Sequence, residues 1–213
     1  MKVDLHFHVR HKKVNWRDRL IEMIRAAEHS GIGCVVLLDH NKHAPQEWLD
    51  VAREISPSTM LLRGVELDVL DYGRDIKDHL VVVGDKPFEW DISRGVSTKD
   101  IGLLEKHAEA DPNILIVLAH PFRKHSNVAF DFYDFLPDAC EVKSHSVPRD
   151  FGHKYKIEEM ARKWNLIMVA TSDAHKPRHV GAGWIETKES PVDVAHLKRM
   201  VQKGEFLRSD QEQ

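Results

Sequence analysis

Short apolar runs recur along this 213-residue chain, and the most informative of them end on a group able to bind a metal ion or move a proton. Lys2-Val3-Asp4-Leu5 leads into His6-Phe7-His8, and Val35-Val36-Leu37-Leu38 leads into Asp39-His40. Residues 60–65 lead into Glu66, residues 114–119 into His120, and residues 166–171 into Ser172-Asp173-Ala174-His175. Amphipathic segments separate these runs. Near-continuous apolar strands alternating with helices argue for a parallel sheet covered by helices. About seven strands in this length suit a small (β/α)7-type, TIM-like barrel of class α/β, with an open doubly wound sheet as the competitor. No G-x-G-x-x-G follows a strand and no G-x-x-x-x-G-K-[ST] occurs, so nucleotide binding in the usual open-sheet manner lacks support. No repeat or linker divides the chain, so residues 1–213 are expected to form one domain.

Local signals give the helices. Asn15 caps an expected helix that runs to Ser30, with Gly31 as its stop. Pro45 stands near the start of a second helix, and Ser97 or Thr98 opens a third that reaches about Ala110. Asp150 opens a fourth that ends near Trp164. Pro191 begins the last, and Gly204 ends it. Weaker strand signals cover residues 80–83 and 139–142.

Composition removes several function classes. The 31 basic and 34 acidic residues leave a net charge of −3, so a broad electrostatic nucleic-acid surface is disfavoured, though a strand end in a pocket is not. The two cysteines, Cys34 and Cys140, flank apolar runs and read as buried thiols of a reducing, cytoplasmic compartment. No apolar stretch reaches the ~20 residues of a membrane span, and the amino terminus has no signal-peptide pattern. The outlying number is 15 histidines, which raises a metal site.

Position strengthens that reading. The carboxyl ends of barrel strands share one face, where active sites are built. His6 and His8 stand two apart on a strand, so both point one way while Phe7 points the other. Asp173 and His175 repeat the spacing, and Glu66 has two oxygens with which to bridge ions. Mixed imidazole and carboxylate donors suit zinc, manganese or iron rather than calcium. Singly, each residue has a plainer role: Asp39 as a turn cap beside a ligating His40, Glu66 as a surface acid, His79 as a strand-edge residue, His120-Pro121 as a strand end. Their joint placement is what favours metal. His29, His107 and His196 read as helix-surface residues. His43, His125, His145, His153 and His179 fall in or near the surrounding loops.

The ordered set His6-Phe7-His8, Asp39-His40-Asn41, Gly64-Val65-Glu66, His79, Ala119-His120-Pro121 and Ser172-Asp173-Ala174-His175, followed by Gly181, resembles the signature of the polymerase and histidinol phosphatase (PHP) family, across nearly the whole chain. The resemblance implies a distorted barrel of about seven strands holding two or three divalent ions. It implies His6, His8, Glu66 and Asp173 at one ion, Glu66, His79 and His120 at a second, and His40 with His175 at a third. The family usually adds a ligand from the loop after H-x-H, where this chain has Lys13 and Val14; His11 or Asn15 would substitute, or the third site is weak or empty, or the Lys13 ammonium would fill it. The short stretch between Glu66 and His120 implies a small, open pocket.

The resemblance further implies hydrolysis of a small phosphate monoester or nucleotide by a metal-activated hydroxide attacking in line, with no phosphoenzyme. Divalent ions neutralise phosphoryl oxygens and bring the pKa of bound water to about 7. Glu66, Asp173 and His175 are the catalytic candidates, with His145 or His175 as proton donor to the leaving group. Arg123, Lys143 and Arg178 are candidates for phosphate binding, because cations and above all guanidinium match phosphate oxygens. The alternatives are an exonuclease acting at nucleic-acid ends, an amidohydrolase-like C–N hydrolase, and a non-catalytic metal-binding member of the family.

Overall fold

The structure, a computed structural model, describes residues 1–9, 15–71, 76–98, 100–111, 113–123, 136–147 and 150–211. His11, Lys13, Val14 and His125 lie outside the described residues. The strands are β1 (Lys2–His8), β2 (Ile32–Leu38), β3 (Met60–Asp71), β4 (Ile76–Val83), β5 (Val96–Ser97), β6 (Leu115–Ala119), β7 (Ala139–Lys143), β8 (Ile167–Ala170), β9 (Ile185–Thr187) and β10 (Phe206–Arg208). The helices are α1 (Trp16–His29), α2 (Gln46–Ile55), α3 (Ile101–Ala110), α4 (Phe151–Trp164) and α5 (Val194–Lys203).

Hydrogen bonds order the sheet as β10-β9-β1-β2-β3-β4-β6-β7-β8, with β5 beside β3. The two flanks of this ribbon meet where Phe7 bridges Ala174 in parallel and the His8 N–H donates to the Ala174 carbonyl at 3.1 Å. The result is the nearly closed α/β barrel that the apolar runs predict.

The sheet is mixed rather than all parallel. β4 runs antiparallel to both β3 and β6. The cause lies in chain length: only residues 72–75 separate β3 from β4, whereas a parallel return needs a crossover of roughly a dozen residues. The reversal has a consequence for the rim. His79 stands early in β4, yet it arrives beside the late residues of the neighbouring strands. β5, β9 and β10 were not anticipated, being too short to show a pattern.

Period-two alternation sorts the strand residues into two layers. Cys34, Val36, Leu38, Val81, Val83, Leu115, Val117 and Ala119 join one core cluster, with Val194, Leu197 and Val201 of α5. Their sequence neighbours Leu80, Val82, Ile116 and Leu118 pack instead with Leu104 of α3 and Ile157 and Met160 of α4. Val35, Leu37 and Phe7 pack against Leu20, Met23, Trp48 and Leu49 of α1 and α2.

The helix boundaries follow the capping chemistry. The Asn15 side chain accepts from the Arg17 N–H, Asp150 from His153 and Asp193 from His196. Asp193 is thus the cap of α5, two residues beyond the expected Pro191, and α3 starts after Asp100 rather than at Ser97 or Thr98. Gly204 closes α5 in the left-handed region, as expected of a C-terminal glycine.

Gly64 lets β3 lie close to β4. A Cβ there would stand 2.2 Å from the Val82 carbonyl oxygen. Backbone on backbone cannot yield as a side-chain tip can, so Gly64→Ala should lower the unfolding free energy by about 1–3 kcal/mol. Urea titration reads this, and an unchanged midpoint would mean that the two strands are not so closely apposed.

Candidate metal centre

The site begins with an irregularity in β1. Asp4 pairs with Val35 and Phe7 with Leu37, so three steps along β1 match two along β2. The extra residue is a bulge, a device that re-aims side chains at the rims of barrels. It allows Val3 and Leu5 to fill the core cluster while His6 and His8 both turn to the mouth and Phe7 packs outward. His6 Nε2 and His8 Nε2 stand 3.0 Å apart.

Glu66, 1% exposed and in the middle of β3, which continues to Asp71 rather than stopping after the apolar run 60–65, is the centre of the cluster. Its Oε1 lies 2.8 Å from His79 Nδ1, 3.0 Å from His120 Nε2 and 3.5 Å from His6 Nε2. Its Oε2 lies 3.0 Å from His8 Nε2 and 3.0 Å from His40 Nδ1. Asp173, fully buried, places Oδ1 3.4 Å from His6 Nε2, 3.6 Å from His8 Nε2 and 3.3 Å from His175 Nε2. The His8 ring stacks on His175 at 4.1 Å and on His40 at 4.6 Å between centroids. All eight metal-ligand candidates therefore converge on one mouth.

Backbone strain marks the same place. Asn41, His120 and Asp173 have φ of +48°, +28° and +48°. Non-glycine residues in this region are held there by their surroundings, and such positions gather at functional sites. Asn41 is held by its N–H donating to the Glu66 carbonyl at 2.9 Å, and its side-chain oxygen accepts from the Asp68 N–H at 2.8 Å.

The electrostatics leave the donors close to their ligating forms. Burial would raise the Glu66 carboxyl, but His6, His120 and His40 hold it well below the usual carboxylate range. Asp173 is lowered in the same way by His6 and His175 against its burial. Burial pushes His8 down to about 3, so its ring is neutral at pH 7. His6 and His40 are the exceptions: burial opposes their charge, yet Glu141, Asp173 and Glu66 hold His6 well above the usual value and Glu66 raises His40. A cation entering the site would displace those protons.

Donor chemistry fits divalent ions. Neither Asp173 oxygen nor Glu66 Oε2 receives an aligned hydrogen bond, although all three are buried. Buried carboxylate oxygens left so are costly, and a cation is the partner that removes the cost. Three donor groups, His6–His8–Asp173, His6–Glu66–His120 and His8–His40–His175, each gather ligand atoms within 4.8 Å of one another. Ligand bonds of about 2.0–2.2 Å put neighbouring donors about 3 Å apart, as found between His6 and His8. A fourth group, His40–Asp68–His79, brings in a residue that sequence reasoning passed over. Asp68 pairs directly across from His79 on β4, with Oδ1 3.3 Å from His79 Nε2.

The phosphate-binding candidates lie outside this cluster. Arg123 and Arg178 are exposed. The Lys143 Nζ donates to the Ser209 carbonyl and hydroxyl, both at 3.3 Å, and lines a cavity of about 340 Å³ with Ser144, Lys154 and Asp210. His145 is exposed and stacks on His179 at 3.5 Å. Asp39 does act as a turn residue, its Oδ1 accepting from the His40 N–H. Two buried acids were missed. Glu141 of β7 touches His6, and Asp4 accepts from the His6 and Ser172 N–H groups. The available signal was a charged residue inside an otherwise apolar strand.

Comparison with known proteins bears on the family and the fold. Residues 152–206 match the model of the PHP-associated family, a segment that includes Asp173 and His175. The fold is similar to that of a proposed metal-dependent phosphoesterase from Bifidobacterium adolescentis, with a TM-score of 0.51 and 17% identity over 84% of this chain and 88% of that one. No curated protein matches the chain. The matched segment bears out the resemblance to the PHP family over that part of the chain, and the structural likeness bears out the barrel fold. Among the described residues, no helix is long and apolar enough to cross a membrane.

Asp4 offers a test of the buried electrostatics. Burial raises its carboxyl to about 7 against the ordinary 3.8. A raised folded-state value contributes stability at low pH that is lost as pH rises, here between about 4 and 7. Asparagine keeps the accepting oxygen and cannot ionise. The stability of Asp4→Asn relative to the parent should therefore be greater at pH 8 than at pH 5. Equal differences at the two pH values, from urea unfolding, would show that Asp4 is not held protonated.

Proposed function

We propose that this protein is a metal-dependent phosphoesterase that hydrolyses a small phosphate monoester or a nucleotide. The observation that carries the reading is the pair of buried carboxylates, Glu66 and Asp173, three of whose oxygens lack an aligned hydrogen bond while facing a ring of imidazoles at the barrel mouth. The fold shared with the proposed bifidobacterial phosphoesterase supports it.

His6, His8, Glu66 and Asp173 would hold one ion, Glu66, His79 and His120 a second, and His40 with His175 a third. When bound, zinc, manganese or iron supplies positive charge to phosphoryl oxygens and activates water near neutral pH. The remaining work falls to the chain. Glu66 and Asp173 are already in the anionic form that binds cations, and neutral His8 offers a lone pair. His175, 33% exposed, would serve first as a ligand of the third ion, and only where that ion is absent would it give a proton to the leaving-group oxygen. Arg123 follows the strained His120 turn, its N–H donating to the His120 carbonyl, and its exposed side chain would be the one to meet a phosphate.

Chelation should abolish hydrolysis of p-nitrophenyl phosphate, and added manganese or zinc should restore it. Glu66→Gln should lose bound metal and at least 100-fold in turnover together, since it removes the shared anionic oxygen pair. Full turnover in Glu66→Gln would defeat the bridging assignment. Assaying single-stranded DNA ends and cyclic amides alongside phosphate esters separates this reading from an exonuclease and from a C–N hydrolase.

Arg123→Ala should raise KM for a phosphate ester about tenfold while leaving metal content unchanged, in line with loss of one charge-assisted contact. An unaltered KM would remove Arg123 from the substrate site.

A further inference from the structure

Glu141 is a carboxylate in the interior of β7, with no exposure to solvent, at a position where an aliphatic residue is the ordinary occupant. Such a group costs several kcal/mol to bury unless its oxygens are satisfied. Here they are. Oε1 lies 2.6 Å from His6 Nδ1 and accepts from the Thr171 hydroxyl at 2.7 Å. Oε2 accepts from the backbone N–H of His120 at 2.7 Å. These donors come from three different parts of the barrel: β1, the turn after β6, and the end of β8.

Glu141 is behind the metal-ligand candidates rather than among them. It faces Nδ1 of His6, while Nε2 of the same ring faces His8, Glu66 and Asp173. It contributes no atom to the four donor groups. A ring that donates Nδ1–H to a carboxylate must present its Nε2 lone pair on the opposite edge, which fixes tautomer and orientation together. The second oxygen holds the amide of His120, the residue with φ of +28°. That conformation persists only where neighbours impose it.

We propose that Glu141 is the positioning residue of the metal centre: one carboxylate that sets the ligating tautomer of His6 and clamps the strained turn that aims His120 at Glu66. The inference rests on the metal reading given above, though not on the identity of the ester. It also explains why Thr171 follows β8, since its hydroxyl supplies the third donor that keeps the carboxylate in place.

Glutamine cannot replace it. A carboxamide has one accepting oxygen and one donating nitrogen, so it cannot accept from both His6 Nδ1–H and the His120 N–H. In folded Glu141→Gln, zinc affinity measured by competition with a chromophoric chelator should fall 10- to 100-fold, the usual effect of losing such a support. Nitrogen-15 NMR of the zinc-loaded parent should show His6 protonated at Nδ1, and the variant should lose that signature. A role confined to fold stability would lower the urea midpoint and leave zinc affinity alone, so a folded Glu141→Gln with affinity within twofold of the parent overturns the proposal. Thr171→Val, which removes only the third donor, should give a smaller loss of affinity in the same direction. If Glu141→Gln does not fold, unchanged affinity in Thr171→Val is the overturning result. The phosphoesterase reading can fail separately: a parent protein that binds zinc with the expected tautomer but cleaves no phosphate ester would refute that reading and leave Glu141 in its place.

Discussion

The constraint on which the structure depends is the burial of negative charge at the mouth of a barrel. Glu66 and Asp173 are withdrawn from water and carry oxygens that no hydrogen bond satisfies. Low-dielectric surroundings make that arrangement expensive for an isolated carboxylate. Imidazoles from β1, β4 and the turns after β2, β6 and β8 surround the two acids, and those of His6, His8, His40, His120 and His175 lower their proton affinity. The barrel thus holds a set of donors whose mutual repulsion and desolvation a cation would relieve.

Two departures from ideal barrel geometry make the convergence possible. The bulge in β1 gives the chain an extra residue, so that core-filling Val3 and Leu5 and site-facing His6 and His8 coexist on one strand. The reversed β4 brings His79 to the rim from the opposite chain direction and sets it opposite Asp68. A regular parallel barrel would deliver each side chain from a strand end alone. Here the strained conformations of His120 and Asp173 and the hub at Glu141 complete the aim.

Much of this was legible beforehand. The apolar runs, their terminal His, Asp and Glu residues and the alternation with helices were enough to place the site on one face, because strand ends in a barrel share a rim. Capping signals located α1 and α4 closely, since Asn15 and Asp150 do cap them. The direction of β4 was not legible: residues 80–83 read the same in either sense. Nor was the role of Glu141, whose partners lie 135, 21 and 30 positions away in the chain.

The sequence by itself determined the chemistry of the donors and the apolar runs that most of them follow, because both are properties of residue type and local pattern. Tertiary structure alone decided which donor meets which, how closely, and in what protonation state. Those depend on register, on strand direction and on the field of charges brought together from distant segments. No local period encodes them, since each is a relation between parts of the chain that meet only after folding.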